Sequence, residues 1–181
     1  MCKPKCFNPA TRKLRRIPQR LSATIRPDMS TLKEGDRAPD ISLDTDSGQH
    51  FELSSLKGKN VVLYFYPKAD TPGCTKEACE FRDTSKKFTK ANTVIVGVSP
   101  DGSNAQAKFK TKFDLPFTLL ADASHTAAEA YGVWKEKSMY GKKYMGIERT
   151  TFVIDPEGRI KKIFPKVKVE GHAEEVLAAI S

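Results

Sequence analysis

The hydrophobic pattern along residues 32–181 alternates between short apolar runs and segments with helical periodicity, which indicates an α/β domain. Residues 60–66 form a run that is continuously apolar after Asn60, as expected for a strand that is buried on both faces. Residues 94–98 predict a second buried strand of the same kind. The other predicted elements are a hairpin of strands 41–43 and 50–53 around residues 46–48, strands 117–120, 150–154 and 159–164, and helices 103–113, 124–131 and 174–180.

The longest helix is predicted over residues 72–90, shortly after the first buried strand. Thr71 is a suitable N-cap for this helix, and Pro72 suits the first helical position, where its missing N–H costs nothing. The apolar stripe of the helix is formed by Ala78, Phe81, Ser85 and Phe88.

Residues 1–28 differ from the rest of the chain because they mix Pro, Arg, Lys and Ser without apolar periodicity. We expect a disordered basic leader, followed by one domain over residues 29–181. An Arg-rich segment that is almost free of acids is typical of an organelle-targeting peptide. An upstream stretch before a true start at Met29 explains the segment equally well, and the sequence leaves both open.

The positive charge of the chain is concentrated in this leader. The chain has 31 Lys and Arg against 22 Asp and Glu, and residues 1–28 contain eight of these bases and one of these acids. The remainder, with 23 bases and 21 acids, is nearly neutral, so no nucleic-acid surface is expected in the domain. No apolar run approaches the ~18 residues that span a bilayer. We expect a soluble protein without membrane contact, in the cytoplasm or, if the leader directs import, in an organelle.

The four cysteines Cys2, Cys6, Cys74 and Cys79 raise the question of structural disulfides. The leader contains no apolar segment of the kind that secretory signals have, so export is not indicated. In a chain that is not exported, neighbouring cysteines favour redox chemistry or metal binding over a structural disulfide. Both pairs lack the two-residue spacing of zinc knuckles, so no metal is expected. Cys2 and Cys6 are expected to be incidental.

Cys74 occupies the third position of the predicted helix 72–90. In a first turn, unpaired N–H groups and the positive end of the helix dipole favour an anion, and so favour thiolate over thiol. Only the thiolate is a good nucleophile. A small core residue would be the simplest interpretation of a cysteine taken alone. The cap, the proline, the strand-to-helix position and the second cysteine together indicate a sulfur nucleophile.

The stretch around Cys74 resembles the active-site signature of the peroxiredoxin family. Pro67-x-x-x-Thr71-x-x-Cys74 matches this signature residue for residue, and the continuation to Cys79 resembles the bacterioferritin comigratory protein or peroxiredoxin Q branch. The similarity covers about residues 32–181 and includes segments 35–40, 131–134 and 149–155. It implies a thioredoxin-like fold, with a central mixed β-sheet flanked by helices, and a thiol-dependent peroxidase.

The resemblance also implies a role for each residue of the site. Cys74 would be the peroxidatic cysteine, which reduces hydrogen peroxide or organic hydroperoxides and becomes a sulfenic acid. Thr71 would orient thiolate and peroxide, Pro67 would shield the sulfenate from water, and Arg149 would lie near the thiolate and hold the peroxide oxygens. Cys79 would resolve Cys74 as an intramolecular disulfide, which thioredoxin or a similar dithiol reductant would reduce.

The chemistry of arginine suits the role implied for Arg149 beside the thiolate, because a guanidinium keeps its charge at any working pH and stabilises a forming anion. Without the signature, Arg149 would be interpreted as an ordinary salt-bridged residue of a strand. The histidines form no Cys–His pair that the sequence reveals, so a papain-like hydrolase is not expected; they are His50, His125 and His172.

We therefore expect a monomeric two-cysteine peroxidase without metal, haem or flavin. Two alternatives stay open at this point. One is a one-cysteine peroxidase in which an external thiol resolves Cys74. The other is a thioredoxin-fold binding or chaperone module without turnover, since a fold does not determine a function.

Overall fold

The computed structural model describes residues 32–139 and 141–180, so the predicted leader with Cys2 and Cys6 lies outside the described residues. In chain order the elements are β1 (Ser42–Thr45), β2 (His50–Glu52), a 3-10 helix (Leu53–Leu56), β3 (Asn60–Phe65), α1 (Pro72–Lys90), β4 (Thr93–Ser99), α2 (Ser103–Lys112), β5 (Thr118–Ala121), α3 (Thr126–Ala130), β6 (Trp134–Met139), β7 (Lys142–Ile147), β8 (Thr150–Ile154), β9 (Ile160–Pro165) and α4 (His172–Ile180). No helix in the described part of the chain is long and apolar enough to cross a membrane.

Seven strands form a central mixed sheet in the order β2-β1-β5-β4-β3-β8-β9. Strands β3, β4 and β5 run parallel, whereas β8 is antiparallel to both β3 and β9. The predicted α/β architecture is confirmed, and the predicted helix 72–90 has the same bounds as α1. Helix α4 begins two residues before its predicted start, and α3 begins two residues after.

Strand β3 lies inside the sheet and separates two apolar cores. Val62 and Tyr64 pack into the cluster that also contains buried residues of α1, α2 and α4. Leu63 and Phe65 pack into the cluster on the other face, which contains residues of α3. Because both faces of the strand are covered, every position of this segment is apolar after Asn60.

Helix α1 lies on the first of these faces. Its residues Ala78, Phe81 and Phe88 are fully buried, and the ring of Phe81 lies 4.9 Å from that of Tyr64, centroid to centroid. Burying a phenylalanine side chain stabilises a fold by about 1.5–3 kcal/mol. Helix α4 packs beside α1, and the ring of its residue His172 lies edge-on to Phe81.

The pairing of β3 with β8 brings two distant segments of the chain together. Phe65 is opposite Thr150, so residue 149 lies beside the end of β3, where the loop to α1 begins. Residues of other segments hold this loop in place. The backbone N–H of Ala69 donates to Asp101 at 2.7 Å, and Asp70 accepts from the ammonium of Lys112 at 2.8 Å.

The sequence pattern did not predict the hairpin of β6 and β7, which forms a separate two-stranded sheet. Its strands pair from Trp134 opposite Ile147 to Met139 opposite Lys142. Lysines are frequent in it, and the side chains of Tyr144 and Met145 are about half exposed. Ile147 is the one buried residue among the described side chains of this hairpin, so the segment lacks the apolar alternation by which strands are predicted.

Candidate active site

Cys74 lies in the first turn of α1, two residues after Pro72, as predicted. Its side chain is only 1% exposed, and its thiol is free. The N-terminal N–H groups of α1 and the positive end of its dipole therefore act on a sulfur that little water screens.

Arg149 contacts this sulfur directly. Its Nη2 donates to the Cys74 Sγ at 3.3 Å, and its Nη1 donates to the carboxylate of Glu77. Arg149 lies in the short link between β7 and β8 and not within a strand. Burial opposes the charge of this guanidinium, but the neighbouring Glu77 and Cys74 raise its pKa overall. A fixed cation thus faces the Cys74 sulfur, which is the expected nucleophile.

Glu77 was not among the residues predicted for the site, although its carboxyl completes the charged cluster. It is 1% exposed, and its Oε1 has no hydrogen-bond partner among the described residues. Burial raises the pKa of Glu77 to about 7, against the lowering effect of Arg149. Its position offered a signal, because a residue three after Cys74 and four before Phe81 falls on the buried stripe of the helix. A charged residue on an apolar stripe indicates a partner within the core.

Gly73 makes the close approach of Arg149 possible. A Cβ atom at this position would lie 3.3 Å from the Arg149 Nη2, which is tighter than an ordinary contact. Any larger residue at position 73 would therefore press on the guanidinium that contacts the sulfur.

Thr71 is the N-cap residue of α1, as predicted, but its side chain makes no capping hydrogen bond. Its hydroxyl donates to the carbonyl of Lys68 at 3.0 Å, so its single O–H points into the preceding loop. Its backbone carbonyl accepts the first helical hydrogen bond, from Thr75. Pro67 is half-buried in the bend that follows β3. The structure thus places Thr71 and Pro67 on the loop that leads to Cys74.

Cys79 is half-buried in the same helix, and its thiol is also free. Five positions along an ideal helix separate two Cα atoms by about 9 Å and rotate their side chains about 140° apart. A disulfide requires Cα atoms within about 7 Å. Cys74 and Cys79 therefore cannot bond while α1 keeps its helical form.

Comparisons with known proteins identify the family. The sequence model of the AhpC/TSA family matches residues 34–163. The chain is 53% identical over 150 residues to the putative peroxiredoxin bcp of Coxiella burnetii and to peroxiredoxin Bcp of Bacillus subtilis. These matches cover 83% of this chain and 99% and 96% of the two relatives. The chain belongs to the peroxiredoxin family.

Solved peroxiredoxins share the fold. A structure of Xanthomonas campestris peroxiredoxin Q superposes with a TM-score of 0.77 at 40% identity, covering 84% of this chain and 97% of that one. A cysteine mutant of Xylella fastidiosa PrxQ gives a TM-score of 0.78 at 37% identity, covering 82% and 95%. The expected thioredoxin-like fold is confirmed, and so is the expected peroxidase. This peroxiredoxin is a thiol peroxidase that acts on peroxides with electrons from a thiol reductant.

Proposed function

We propose that Cys74 is the peroxidatic cysteine of this peroxiredoxin and that Cys79 resolves it. The observation that carries the first assignment is the contact of 3.3 Å between the Arg149 guanidinium and the Cys74 sulfur in the first turn of α1. Cys79 lies outside this contact, on the same helix, and is the other free thiol of the described residues.

In the first step, the Cys74 thiolate attacks the terminal oxygen of a hydroperoxide. The S–O bond forms while the O–O bond breaks, so the sulfur loses two electrons and becomes a sulfenic acid. The leaving oxygen takes a proton and departs as water or an alcohol. Arg149 stabilises the negative charge before the attack and on the leaving oxygen during it. The Thr71 hydroxyl can accept a hydrogen bond from the peroxide while it donates to Lys68.

In the second step, Cys79 attacks the sulfur of the Cys74 sulfenic acid. An S–S bond forms, the S–O bond breaks, and the oxygen leaves as water after protonation. The separation of the two cysteines on α1 requires that the first turns of this helix unwind before the bond can form. Thioredoxin or a similar dithiol then returns both thiols and is itself oxidised to a disulfide.

Three variants test the two assignments in a peroxide-consumption assay with thioredoxin and its reductase. Cys74→Ser should abolish activity, because a hydroxyl is a far weaker nucleophile near neutral pH. Cys79→Ser should still reduce one equivalent of peroxide and accumulate sulfenic acid, but turn over poorly. The double variant Cys2→Ser/Cys6→Ser is the matched control and should keep the full rate.

The same assay separates the alternatives. Full thioredoxin-linked turnover of Cys79→Ser would establish the one-cysteine mechanism with an external resolving thiol. A wild-type protein that consumes no peroxide with any dithiol would instead be a binding or chaperone module.

We also propose that the enzyme acts as a monomer in the cytoplasm, or in an organelle if residues 1–28 direct import. The basic, almost acid-free leader supports only the organelle alternative. Sedimentation velocity of the reduced enzyme should give the mass of one chain, and a dimer would contradict it. Fusion of residues 1–28 to a fluorescent protein tests the compartment.

A further inference from the structure

The peptide group between Lys68 and Ala69 is held at both of its polar ends. Its N–H donates to Oδ2 of Asp101 at 2.7 Å, and its carbonyl accepts from the hydroxyl of Thr71 at 3.0 Å. A peptide group is planar, so a hydrogen bond that fixes the direction of the N–H also fixes the direction of the carbonyl. Asp101 therefore sets the direction of the carbonyl to which Thr71 donates.

A buried chain of side chains fixes Asp101 in turn. The same Oδ2 accepts from the Ser99 hydroxyl at 2.8 Å, and the Ser99 oxygen accepts from Nε2 of Gln106 at 2.7 Å. Gln106 lies on α2, and its Oε1 accepts from the hydroxyl of Tyr66. Because Ser99, Gln106 and Tyr66 are fully buried, an unmade hydrogen bond among them would be costly.

The direction of each hydrogen bond in this chain is determined. The carbonyl of Leu120 accepts from Nε2 of Gln106 at 3.0 Å, which fixes the orientation of the amide. Ser99 has a single O–H, and because its oxygen accepts from Gln106, this O–H donates to Asp101. The carboxylate of Asp101 then accepts from the N–H of Ala69. The order of donors and acceptors thus runs from α2 to the loop before α1.

The next residue of the loop is held from the same side. Asp70 has a φ of 56°, in the left-handed region that residues other than glycine rarely adopt. Both oxygens of its carboxylate accept from the ammonium of Lys112, the last residue of α2, at 2.8 Å. This ion pair is exposed and contributes little, so the part-buried contact of Asp101 with Ala69 is the main hold on the loop.

Resting on the roles proposed for Cys74 and Thr71, we propose that Asp101 is a positioning residue for the peroxide. The hydroxyl of Thr71 gives its one proton to the Lys68 carbonyl while that carbonyl points toward it. Its oxygen then presents lone pairs to the O–H of the peroxide that Cys74 attacks. Without Asp101 the peptide group is free to turn, and the O–H of Thr71 is free to rotate toward the peroxide instead of accepting from it.

A double-mutant cycle tests whether Asp101 acts through Thr71, with single-turnover reduction of hydrogen peroxide as the measured rate. Asp101→Ala should slow this reaction at least about tenfold, because a misplacement of about 1 Å at a reacting centre can cost about 100-fold. In the Thr71→Val background, which has no hydroxyl to orient, the same substitution should change the rate by less than about twofold.

Two further readouts separate positioning from a general loss of structure. Asp101→Asn keeps a carbonyl oxygen that can accept from Ala69 and Ser99, so it should stay within about threefold of the wild-type rate. Alkylation of Cys74 by iodoacetamide, located by mass spectrometry, depends on the thiolate and not on the Thr71 hydroxyl. Asp101→Ala should therefore change the rate of alkylation by less than about twofold.

Asp46→Ala is the matched control. The carboxylate of Asp46 also accepts from a backbone N–H, that of Leu119 at 3.0 Å, and from the ammonium of Lys110 on α2 at 2.8 Å. These partners belong to β5 and α2 and not to the loop before α1. Asp46→Ala should therefore unfold at a lower urea concentration but reduce peroxide at the wild-type rate.

Ser99→Ala keeps the inference testable if Asp101→Ala does not fold. It removes the hydroxyl that joins Gln106 to Asp101 and leaves the contact of Asp101 with Ala69 possible. It should slow peroxide reduction by a smaller factor than Asp101→Ala, and only while Thr71 is present.

The outcomes are distinguishable. An equal loss from Asp101→Ala with and without the Thr71 hydroxyl, an equal loss in Asp46→Ala, or an Asp101→Asn as slow as Asp101→Ala would reduce Asp101 to a structural residue and overturn the inference alone. So would a wild-type rate in Asp101→Ala. A wild-type rate in Thr71→Val would overturn the inference and the role of Thr71 but leave Cys74 as the peroxidatic cysteine. A Cys74→Ser variant that still reduces peroxide would overturn the proposed function and this inference with it.

Discussion

Arg149 divides its two terminal nitrogens between Cys74 and Glu77, and both of these partners are almost fully buried. Charges in such a site interact strongly, because little water lies between them to screen the field. Because Cys74 and Glu77 both contact this one guanidinium, a change in the charge of either partner alters the field at the other. At the scale of single residues, two buried acidic groups therefore share one guanidinium.

Replacing Arg149 by Met removes the cation that Cys74 and Glu77 share. We expect single-turnover reduction of peroxide to slow by well over tenfold, because the forming anion loses its fixed partner. The ultraviolet absorbance of the thiolate at pH 7 should fall in parallel. Arg159→Met, which removes an exposed arginine from another part of the sheet, is the control and should react at the wild-type rate. An unchanged rate in Arg149→Met would leave that residue a purely structural role.

Replacing Glu77 by Gln should change how stability depends on pH. The folded-state pKa of about 7 lies above the ordinary value of 4.5, so the folded protein retains this proton at pH values where the unfolded chain has lost it. The contribution to stability is complete below pH 4.5 and is lost as the pH rises through about 7. The free energy of unfolding of the wild type, minus that of Glu77→Gln, should therefore fall between pH 4.5 and 8, by on the order of 3 kcal/mol.

Urea unfolding of the two reduced proteins across this range measures the difference. His172, whose pKa is lowered by burial, changes stability in the opposite direction but is present in both proteins and cancels. A difference that stays constant with pH would show that Glu77 is fully ionised in the folded state.

At the scale of elements, α1 was predictable because its signals are local. Pro72 marks its first position, and the stripe through Phe81 and Phe88 follows the helical period. The contact of Arg149 with Cys74 is not local, because it depends on the register between β3 and β8 and on the course of the loop between them. The family resemblance suggested this contact, but no property of the isolated segments did. The Thr71 hydroxyl shows a second limit, since the residue type predicts a cap while the loop offers it the Lys68 carbonyl.

The stability of the first turns of α1 should control the second chemical step. Lys76 is exposed in the second turn, so Lys76→Gly and Lys76→Ala both lose its ion pair with Glu170 but differ in helix propensity. Glycine disfavours a helix by about 1 kcal/mol relative to alanine, a factor of about five in an unwinding equilibrium. Lys76→Gly should therefore form the Cys74–Cys79 disulfide up to about fivefold faster than Lys76→Ala and over-oxidise less at high peroxide.

Stopped-flow and mass-spectrometric measurements of the two variants test this prediction. Equal rates would mean that unwinding does not limit the step. Substitution of Gly73 would be a less clean test, because a Cβ there would disturb Arg149 as well as the helix.

At the scale of the whole molecule, the described residues 32–139 and 141–180 supply two apolar cores. These two cores lie on either side of the central sheet and are built from residues between 32 and 180. A chain that starts at Met29 should therefore retain both its melting temperature and its peroxidase rate. Thermal unfolding and the thioredoxin-linked assay on the truncated and full chains check this. A drop of more than a few degrees, or a clear loss of rate, would show that residues 1–28 belong to the domain.

Cys74 and Arg149 are 75 residues apart in the chain. During synthesis at about 5–20 residues per second, the cysteine is made about 4–15 s before its arginine. Until β8 has paired with β3, the nascent chain carries a thiol without the cation that prepares it for attack. The contact that prepares Cys74 for attack can thus form only after residues 150–154 have been made and have paired with β3.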